Sequence, residues 1–403
     1  MDQRFEALRA AGITIFESSV TALDAYRDGR REPGSAGARL PLFGLVECGL
    51  VDLAKVFGSL RYPALPYADA AIDAEAQVGD ASSVFERPGT LYLRCAESAK
   101  TADRAALAPL DLLRDPERGV FVDPKGVYPC LRAARVALRP APAEEQLFQA
   151  AVLLSRHHYE IDAAAQAPLP RVFPIDAQRD LLTLVLTGAH PERALEHLRA
   201  AGFIAAYWPE LESLYGLDQS KEYHPEGDAW AHTLETFRHR KLPTLGLSLA
   251  LLLHDAGKPR AESAQGRRFD RHAEIGRAVA ARFLARLGFD AALSDEVTFL
   301  VRYHMMPAAL PRLPASRLEG IIDDPRFPLL LELYKCDELS TFRGPDGFYE
   351  ACAAYKAWLK NARNPWRDAE GRKLALHFLE QAPRVAAPRG AARGARSGPR
   401  RRR

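Results

Sequence analysis

The chain has 403 residues, of which 47% are hydrophobic and 27% charged, and its formal net charge is +3. This length predicts two or three domains rather than one core. The composition is that of a globular protein, and no uninterrupted apolar stretch approaches the length of a transmembrane helix, so no membrane-spanning helix is expected.

The first residues, Met1–Glu6, lack a basic segment followed by an apolar one, so no export signal is expected. The five cysteines are scattered, odd in number and never form a C-x-x-C pair. This pattern predicts reduced thiols in the cytoplasm and argues against a cysteine-based zinc site.

The positive charge is concentrated at the C-terminus. The stretch 384–403 holds eight arginines and no acidic residue, so the rest of the chain is mildly acidic. Its low apolar content, with Gly, Pro and Ala, predicts a disordered tail. Two interpretations remain open: attraction to RNA or another polyanion, and a solubilising tail without a partner.

The first 130 or so residues predict a mixed α/β region. Residues 4–29 indicate helix, strand (13–17) and helix (20–26), and a loop rich in Gly, Pro, Ser and Arg follows over 28–40. Short apolar runs between turn signals then predict further strands. These runs are 42–46, 50–57, 89–95 and 120–122.

From Glu144 onward helical periodicity dominates and strands are not expected. The predicted helices cover 145–159, 176–186, 191–202, 228–240, 245–256, 272–288, 294–304, 326–339 and 347–359. The fold class is therefore mainly α with an N-terminal α/β head.

One helix of this region ends in an adjacent His254-Asp255 pair. The run 247–253 is apolar on nearly every face, which predicts a buried helix. Gly257 is a candidate left-handed cap, and Pro259 cannot continue the helix. A buried carboxylate is costly unless it is paired or metal-bound, although an isolated His-Asp pair is more often a core histidine beside a capping Asp.

Four further candidate ligands favour a metal site over a core histidine beside a capping Asp. They lie in or at the ends of other predicted helices, next to apolar residues, and they are His232, His272, His304 and Asp337. Imidazoles with carboxylates suit Mn, Fe, Ni or Zn better than an all-oxygen Mg site.

This H…HD…D order resembles the HD-domain superfamily of metal-dependent phosphohydrolases. The resemblance implies that His232, His254, Asp255 and Asp337 bind one divalent ion, that His272 and His304 serve a second, and that Lys258 contacts a substrate phosphate. Asp255 and Lys258 are then the catalytic candidates. The metal (Mn, Ni, Fe, Zn or Mg) and the number of ions, one or two, stay open.

The flanks narrow the resemblance. The stretches 181–211 and His224–Thr233 are similar to the neck and HD entry of bacterial tRNA nucleotidyltransferases, the CCA-adding enzymes related to poly(A) polymerases. The resemblance implies a nucleotidyltransferase-like head (1–135), a helical neck (136–215), an HD domain (216–345), C-terminal helices (346–383) and the basic tail (384–403). It also implies an RNA or nucleotide partner and tRNA processing; no membrane partner is expected, and the oligomeric state is open.

The head departs from that family's pattern. The family places two carboxylates as Asp-x-Asp on one strand, and the nearest match here is Leu50-Val51-Asp52, with a single carboxylate. The expected Gly-Gly turn is replaced by residues 17–23, which contain no glycine, and the nucleotide-selecting arginines are missing from 144–151. The leading hypothesis is therefore an HD-type hydrolase or phosphodiesterase acting on nucleotides or RNA ends, with a head that has lost its catalytic motifs. The alternatives are a working CCA-adding enzyme and a noncatalytic RNA-binding protein.

Overall fold

The structure is a computed structural model. It describes residues 2–28, 41–63, 65, 68–73, 89–162, 169, 172–218, 227–241, 243–261, 269–313, 318–341 and 344–362. The predicted loop at 28–40, apart from its first residue, the end of the C-terminal helical segment and the basic tail lie outside these residues.

The N-terminal part is a mixed α/β head, as predicted. Its helices are α1 (Gln3–Ala10), α2 (Ser19–Asp28), α3 (Leu50–Phe57) and α4 (Tyr128–Ala133), with a 3-10 turn at Ala108–Asp111. Its strands are β1 (Ile15–Glu17), β2 (Leu42–Val46), β3 (Ala70–Ile72), β4 (Leu91–Cys95), β5 (Leu113–Arg114) and β6 (Phe121–Val122). They form one sheet in the order β3-β4-β2-β1-β5-β6, in which β2 and β4 are parallel and the other neighbours antiparallel.

A helical neck follows. It contains α5 (Ala143–Arg156), α6 (Ile175–Thr187), α7 (Pro191–Ala200), α8 (Phe203–Tyr207) and α9 (Pro209–Glu212). The expectation that strands end before Glu144 was wrong, because β8 (Glu160–Asp162) pairs in parallel with β7 (Arg135–Ala137). Three-residue strands joined across a whole helix leave no alternation in the sequence long enough to detect.

The third part carries the candidate metal ligands. It contains α10 (Ala229–Thr236), α11 (Leu245–Leu253), α12 (His272–Arg286), α13 (Ala291–Tyr303), α14 (Met306–Ala309), α15 (Glu319–Ile322), α16 (Phe327–Leu339) and α17 (Asp346–Ala362). Short 3-10 turns lie at Phe237–His239 and Lys258–Arg260. The mainly α fold class is confirmed, and within the described segments no helix combines the length and apolar character needed to cross a bilayer.

The predicted strand at 50–57 was wrong, because these residues form α3. The helix begins after Gly49, ends at Gly58 with φ +67°, and buries Leu53. Apolar residues at 50, 53, 56 and 57 follow helical spacing as well as they suit a short strand, so the run was ambiguous.

Head and neck are joined through a buried ion-pair network. Arg156, at the end of α5, donates to Asp24 of α2 at 2.6 Å and to the Pro41 carbonyl at 3.0 Å, and the His157 imidazole lies 2.8 Å from the same carboxylate. One continuous hydrophobic core extends from the head through the neck to α16. The domain boundaries stay a prediction, since this core does not divide them.

Replacing Asp24 with Ala is expected to lower the free energy of unfolding by about 3 kcal/mol, because it leaves a buried guanidinium without its carboxylate. The side chain of Arg156 is 3% exposed. Burial opposes ionisation of Asp24, but Arg156 and His157 outweigh it and hold the pKa of Asp24 below 3.8. The contribution of Asp24 is therefore present above pH 3.8 and declines as the pH falls from there through the lowered pKa.

Denaturant unfolding of the whole chain at neutral and acidic pH measures this effect. The matched control is Asp176→Ala, which removes an exposed i,i+3 pair with Arg179 and is expected to cost under about 1 kcal/mol. Equal losses in the two variants at neutral pH would contradict the prediction.

Candidate metal centre

Five chain segments bring the predicted ligands to one pocket. α10 carries His232, the end of α11 carries His254 and Asp255, α12 begins at His272, His304 follows α13, and α16 carries Asp337. Asp228 caps α10 by accepting from the backbone N–H of Ala231.

The first group of ligand atoms consists of His232, His254 and Asp255, whose donor atoms lie within 4.8 Å of one another. The His254 Nε2 atom is 3.3 Å from Asp255 Oδ2. Asp337 joins this group, since its Oδ1 is 3.0 Å from His232 Nε2 and 3.9 Å from His254 Nε2. The four residues that the HD resemblance assigns to one ion are therefore neighbours.

The second group consists of Asp255, His272 and His304, again within 4.8 Å. The Nε2 atoms of the two histidines are 3.1 Å apart, and His272 Nε2 is 3.7 Å from Asp255 Oδ1. Asp255 thus faces one group with each carboxylate oxygen, which is the arrangement of a carboxylate that bridges two cations.

Backbone carbonyls orient three of the histidines. The Nδ1 atoms of His254, His272 and His304 lie 2.8, 3.0 and 2.8 Å from the carbonyl oxygens of Leu251, Phe269 and Val301. A carbonyl only accepts, so each Nδ1 carries a proton and each ring turns its Nε2 into the pocket.

This orientation makes the pocket fit a cation. The Nε2 atoms of His272 and His304 lie 3.1 Å apart, close enough to contact one positive group. His254 Nε2 is buried and lacks a hydrogen bond of acceptable geometry, whereas Asp255 Oδ2 has the Lys258 ammonium at 2.6 Å. Buried polar atoms without partners are rare in proteins, and a divalent ion satisfies a set of imidazole and carboxylate donors.

The electrostatics favour the same protonation states. Although burial opposes ionisation, His254 and Lys258 hold the pKa of Asp255 well below its ordinary 3.8. Burial, with the neighbouring His272, lowers the pKa of His304 to about 3. At neutral pH Asp255 is therefore a carboxylate and His304 a neutral imidazole, the forms in which both residues bind metal.

Lys258 lies inside the pocket rather than at its mouth. Its Nζ is 2.6 Å from Asp255 Oδ2, and its side chain is 9% exposed. It also lies over the ring of Phe269, with Nζ 5.7 Å from the centroid. The lysine therefore balances the charge of the Asp255 carboxylate, and its predicted contact with a substrate phosphate stays a prediction.

The pocket opens at one side. The side chains of Asp337 and His272 are 19% and 14% exposed, whereas those of His232, His254 and Asp255 are at most 2% exposed. Solvent therefore reaches the cluster at Asp337 and His272, and the other three side chains lie beneath them.

Gly257 does not form the predicted left-handed cap, because its φ is −84°. A glycine is needed there for another reason: a Cβ atom would lie 2.0 Å from the His272 carbonyl and 2.5 Å from the Gly276 nitrogen. This close backbone approach holds the start of α12 against the end of α11. The sequence does not predict that the carbonyl of Phe269 orients His272, because every residue has a backbone carbonyl whatever its type.

The head contains a cavity. It is lined by residues that include Ser18, Ser19, Phe43 and Leu45, and its volume is about 50 Å³, well below the roughly 300 Å³ at which ligand pockets begin. Ser19 adopts a φ of +53° where the Gly-Gly turn was expected. Phe43 packs face to face on Tyr92, with 5.2 Å between the ring centroids.

The placement of Asp52 on a strand was wrong. Asp52 lies on α3, 52% exposed and paired with Lys55, and it does not line the cavity. Strands β2, β4 and β5 all contribute to its lining, and Phe43 and Leu45 are alternate residues of β2. An Asp-x-Asp pair on this strand would need such alternate positions, which are apolar here.

Comparisons with known proteins relate the chain to the CCA-adding enzymes. It is 38% identical over 117 residues to the multifunctional CCA protein of Halorhodospira halophila, a match that covers 28% of each chain. It is 30% identical over 218 residues to that of Nitrosococcus oceani, which covers 51% of this chain and 50% of the relative. The bifunctional uridylyltransferase/uridylyl-removing enzyme of Ruegeria pomeroyi is 29% identical over 191 residues, 40% of this chain and 20% of the relative.

The crystal structure of the Bacillus stearothermophilus CCA-adding enzyme in complex with CTP superposes with a TM-score of 0.50. The match covers 89% of this chain and 81% of that one, at 13% identity. The chain has a CCA-adding-enzyme-like fold. It spans half or less of the curated relatives' lengths, and no protein-family model matches it.

Proposed function

We propose that the chain is a metal-dependent phosphohydrolase or phosphodiesterase of the HD type, acting on nucleotides or RNA ends. The observation that carries this proposal is Asp255, whose two oxygens face two ligand groups completed by inward-turned histidines. Residues His232, His254, Asp255 and Asp337 would hold one divalent ion, and Asp255, His272 and His304 a second.

The chain's own side chains would divide the work. A divalent cation held there supplies Lewis-acid polarisation of a phosphoryl oxygen. Asp255 and Asp337 would hold the cation in place. The Lys258 ammonium would offset part of the negative charge of these carboxylates. The buried setting of His254 and Asp255 would exclude bulk water and strengthen these interactions.

The relatives' names support an activity on nucleotidyl groups. Two are CCA proteins called multifunctional, and the third pairs uridylyl transfer with uridylyl removal. Removal of a nucleotidyl group is a hydrolysis at phosphorus, which is the chemistry proposed for the pocket.

Metal analysis of the purified chain, followed by hydrolysis assays, tests the proposal. Bound Mn, Ni, Fe, Zn or Mg is expected, with phosphate release from nucleoside monophosphates or ring opening of 2′,3′-cyclic nucleotides. A chelator should abolish both reactions, and the metal should restore them. A metal-loaded chain without activity on any of these substrates would instead favour the noncatalytic RNA-binding alternative.

A second candidate function is nucleotidyl transfer to tRNA. The similarity to multifunctional CCA proteins and the shared fold favour it. The apolar residues Phe43 and Leu45 at the head cavity count against it, since transfer needs paired carboxylates to hold its metal ions.

Incubation with labelled CTP or ATP and tRNA lacking its 3′ end decides between the two candidates. We expect no incorporation above the background of a heat-inactivated sample, because the alternate positions Phe43 and Leu45 of β2 are apolar. A CCA-adding enzyme assayed in parallel confirms that the tRNA is a competent acceptor. Measurable incorporation by this chain would overturn the loss of function in the head.

A further inference from the structure

A cleft of about 270 Å³ lies between α12 and α13. Arg302 lines it two residues before His304, so the two side chains leave their helix about 200° apart. Arg277 lines it five residues after His272, about 140° around α12. The cleft therefore lies on the outer side of the two helices whose ends carry ligands of the second group.

Two arginines of this cleft are available to bind a ligand. Arg277 is exposed and Arg302 half-buried. Among the described residues, neither makes an ion pair or a side-chain hydrogen bond; Arg302 contacts only the ring of its neighbour Tyr303, 5.4 Å from the centroid. Two uncompensated guanidinium groups at one opening attract an anion that carries several acceptor oxygens.

The third arginine, Arg326, is held in place by two carboxylates and an aromatic ring. Arg326 is paired with Asp324 and Asp295, each at 2.7 Å, and its guanidinium lies 4.0 Å from the centroid of the Phe299 ring. The Phe299 ring in turn packs edge-on against Tyr303, with 5.0 Å between centroids. A guanidinium fixed in this way offers its other face for stacking by a nucleobase.

We propose that this cleft binds one nucleotide unit of a single-stranded RNA, with its phosphate on Arg277 and Arg302 and its base on the Arg326–Phe299 stack. A volume near the lower end of ligand pockets suits one nucleotide unit. The choice of RNA rests on the proposed function, for which the cleft would anchor the substrate beside the metal centre. A free nucleotide offers the cleft the same phosphate and base.

Binding of a short, fluorescently labelled single-stranded RNA to the full chain in EDTA tests the proposal. The chelator leaves the metal centre unloaded, so loss of hydrolytic activity and loss of binding are separate results. The double variant Arg277→Gln/Arg302→Gln is expected to weaken binding about tenfold and to reduce the dependence of log K on log salt by about 0.7, the value for one phosphate of a single strand. Hydrogen exchange of α13 should slow with RNA in the wild type and stay unchanged in the variant.

The matched control is Arg282→Gln/Arg312→Gln, which removes the same charge from exposed positions of the same region outside the cleft. It should change binding less than twofold. Equal weakening in both double variants, or unaltered exchange of α13 in the wild type, would overturn the proposal. Competition by AMP at the same phosphate concentration would identify free nucleotide as the ligand, and failure of AMP to compete would identify RNA.

Discussion

Replacing Asp255 with Asn is expected to remove bound metal from both ligand groups and to lower phosphohydrolase turnover by at least about a thousandfold, roughly 4 kcal/mol of transition-state stabilisation. Among the residues that the structure describes, Asp255 is the one that belongs to both groups of potential ligands. An amide keeps the shape of the side chain, but it replaces one acceptor oxygen with a donor and removes the charge. The loss should therefore exceed that of His304→Ala, which affects the second group alone.

The readouts are metal content per chain and the rate of substrate hydrolysis, with circular dichroism as a check on folding. Lys258 loses its ion pair with Asp255 in the variant, so a lower melting temperature is expected as well. The control is Glu274→Gln, an exposed carboxylate two residues after His272, which should keep wild-type metal content and rate. Retained activity with one ion bound would show that Asp255 does not serve both groups, and retained activity without metal would refute catalysis at this site.

The helices that assemble the pocket were predictable because their periodicity is long. The predicted helices at 245–256, 272–288 and 294–304 correspond to α11, α12 and α13 within a few residues. Ligands at the ends of several helices converge when these helices pack in their chain order around a common apolar core. The six side chains accordingly meet in one pocket, while their role as metal ligands stays a prediction.

The remainder depends on contacts between distant residues, which a single sequence does not encode locally. The pairing of β7 with β8 and the carbonyl partners of three histidines belong to this class. The cleft between α12 and α13 does too, because it joins Arg326 to residues about 25 to 50 positions earlier. The helix at 50–57 was misassigned for a local reason, since eight residues are too few to separate the two periods.

The close contact between Gly257 and the backbone of α12 positions that helix. Replacing Gly257 with Ala is expected to lower the free energy of unfolding by about 3 kcal/mol through overpacking, and to weaken metal binding at the second group by about ten- to a hundredfold, as loss of an orienting contact does. The φ of −84° suits alanine, so backbone strain does not contribute. The cause is steric, because the added methyl group would meet the backbone of His272 and Gly276, which cannot rotate away.

Two other glycines provide a graded comparison. At Gly276 the nearest atoms to an added Cβ lie 3.3 to 3.5 Å away, so Gly276→Ala should cause a smaller loss. At Gly320 nothing lies within 4 Å, and Gly320→Ala should leave stability and metal binding unchanged. Calorimetric titration of the metal-free chains with Mn, together with thermal unfolding, measures both effects.

The two readouts separate a general loss of packing from a specific displacement of His272. If Gly257→Ala lowers only stability, α12 adjusts without moving His272 away from Asp255 and His304. If it weakens the second group while the ions of the first bind normally, the approach of the two backbones sets the spacing of the candidate metal pair. We expect the second result, since the 2.0 Å contact falls on the carbonyl of His272 itself.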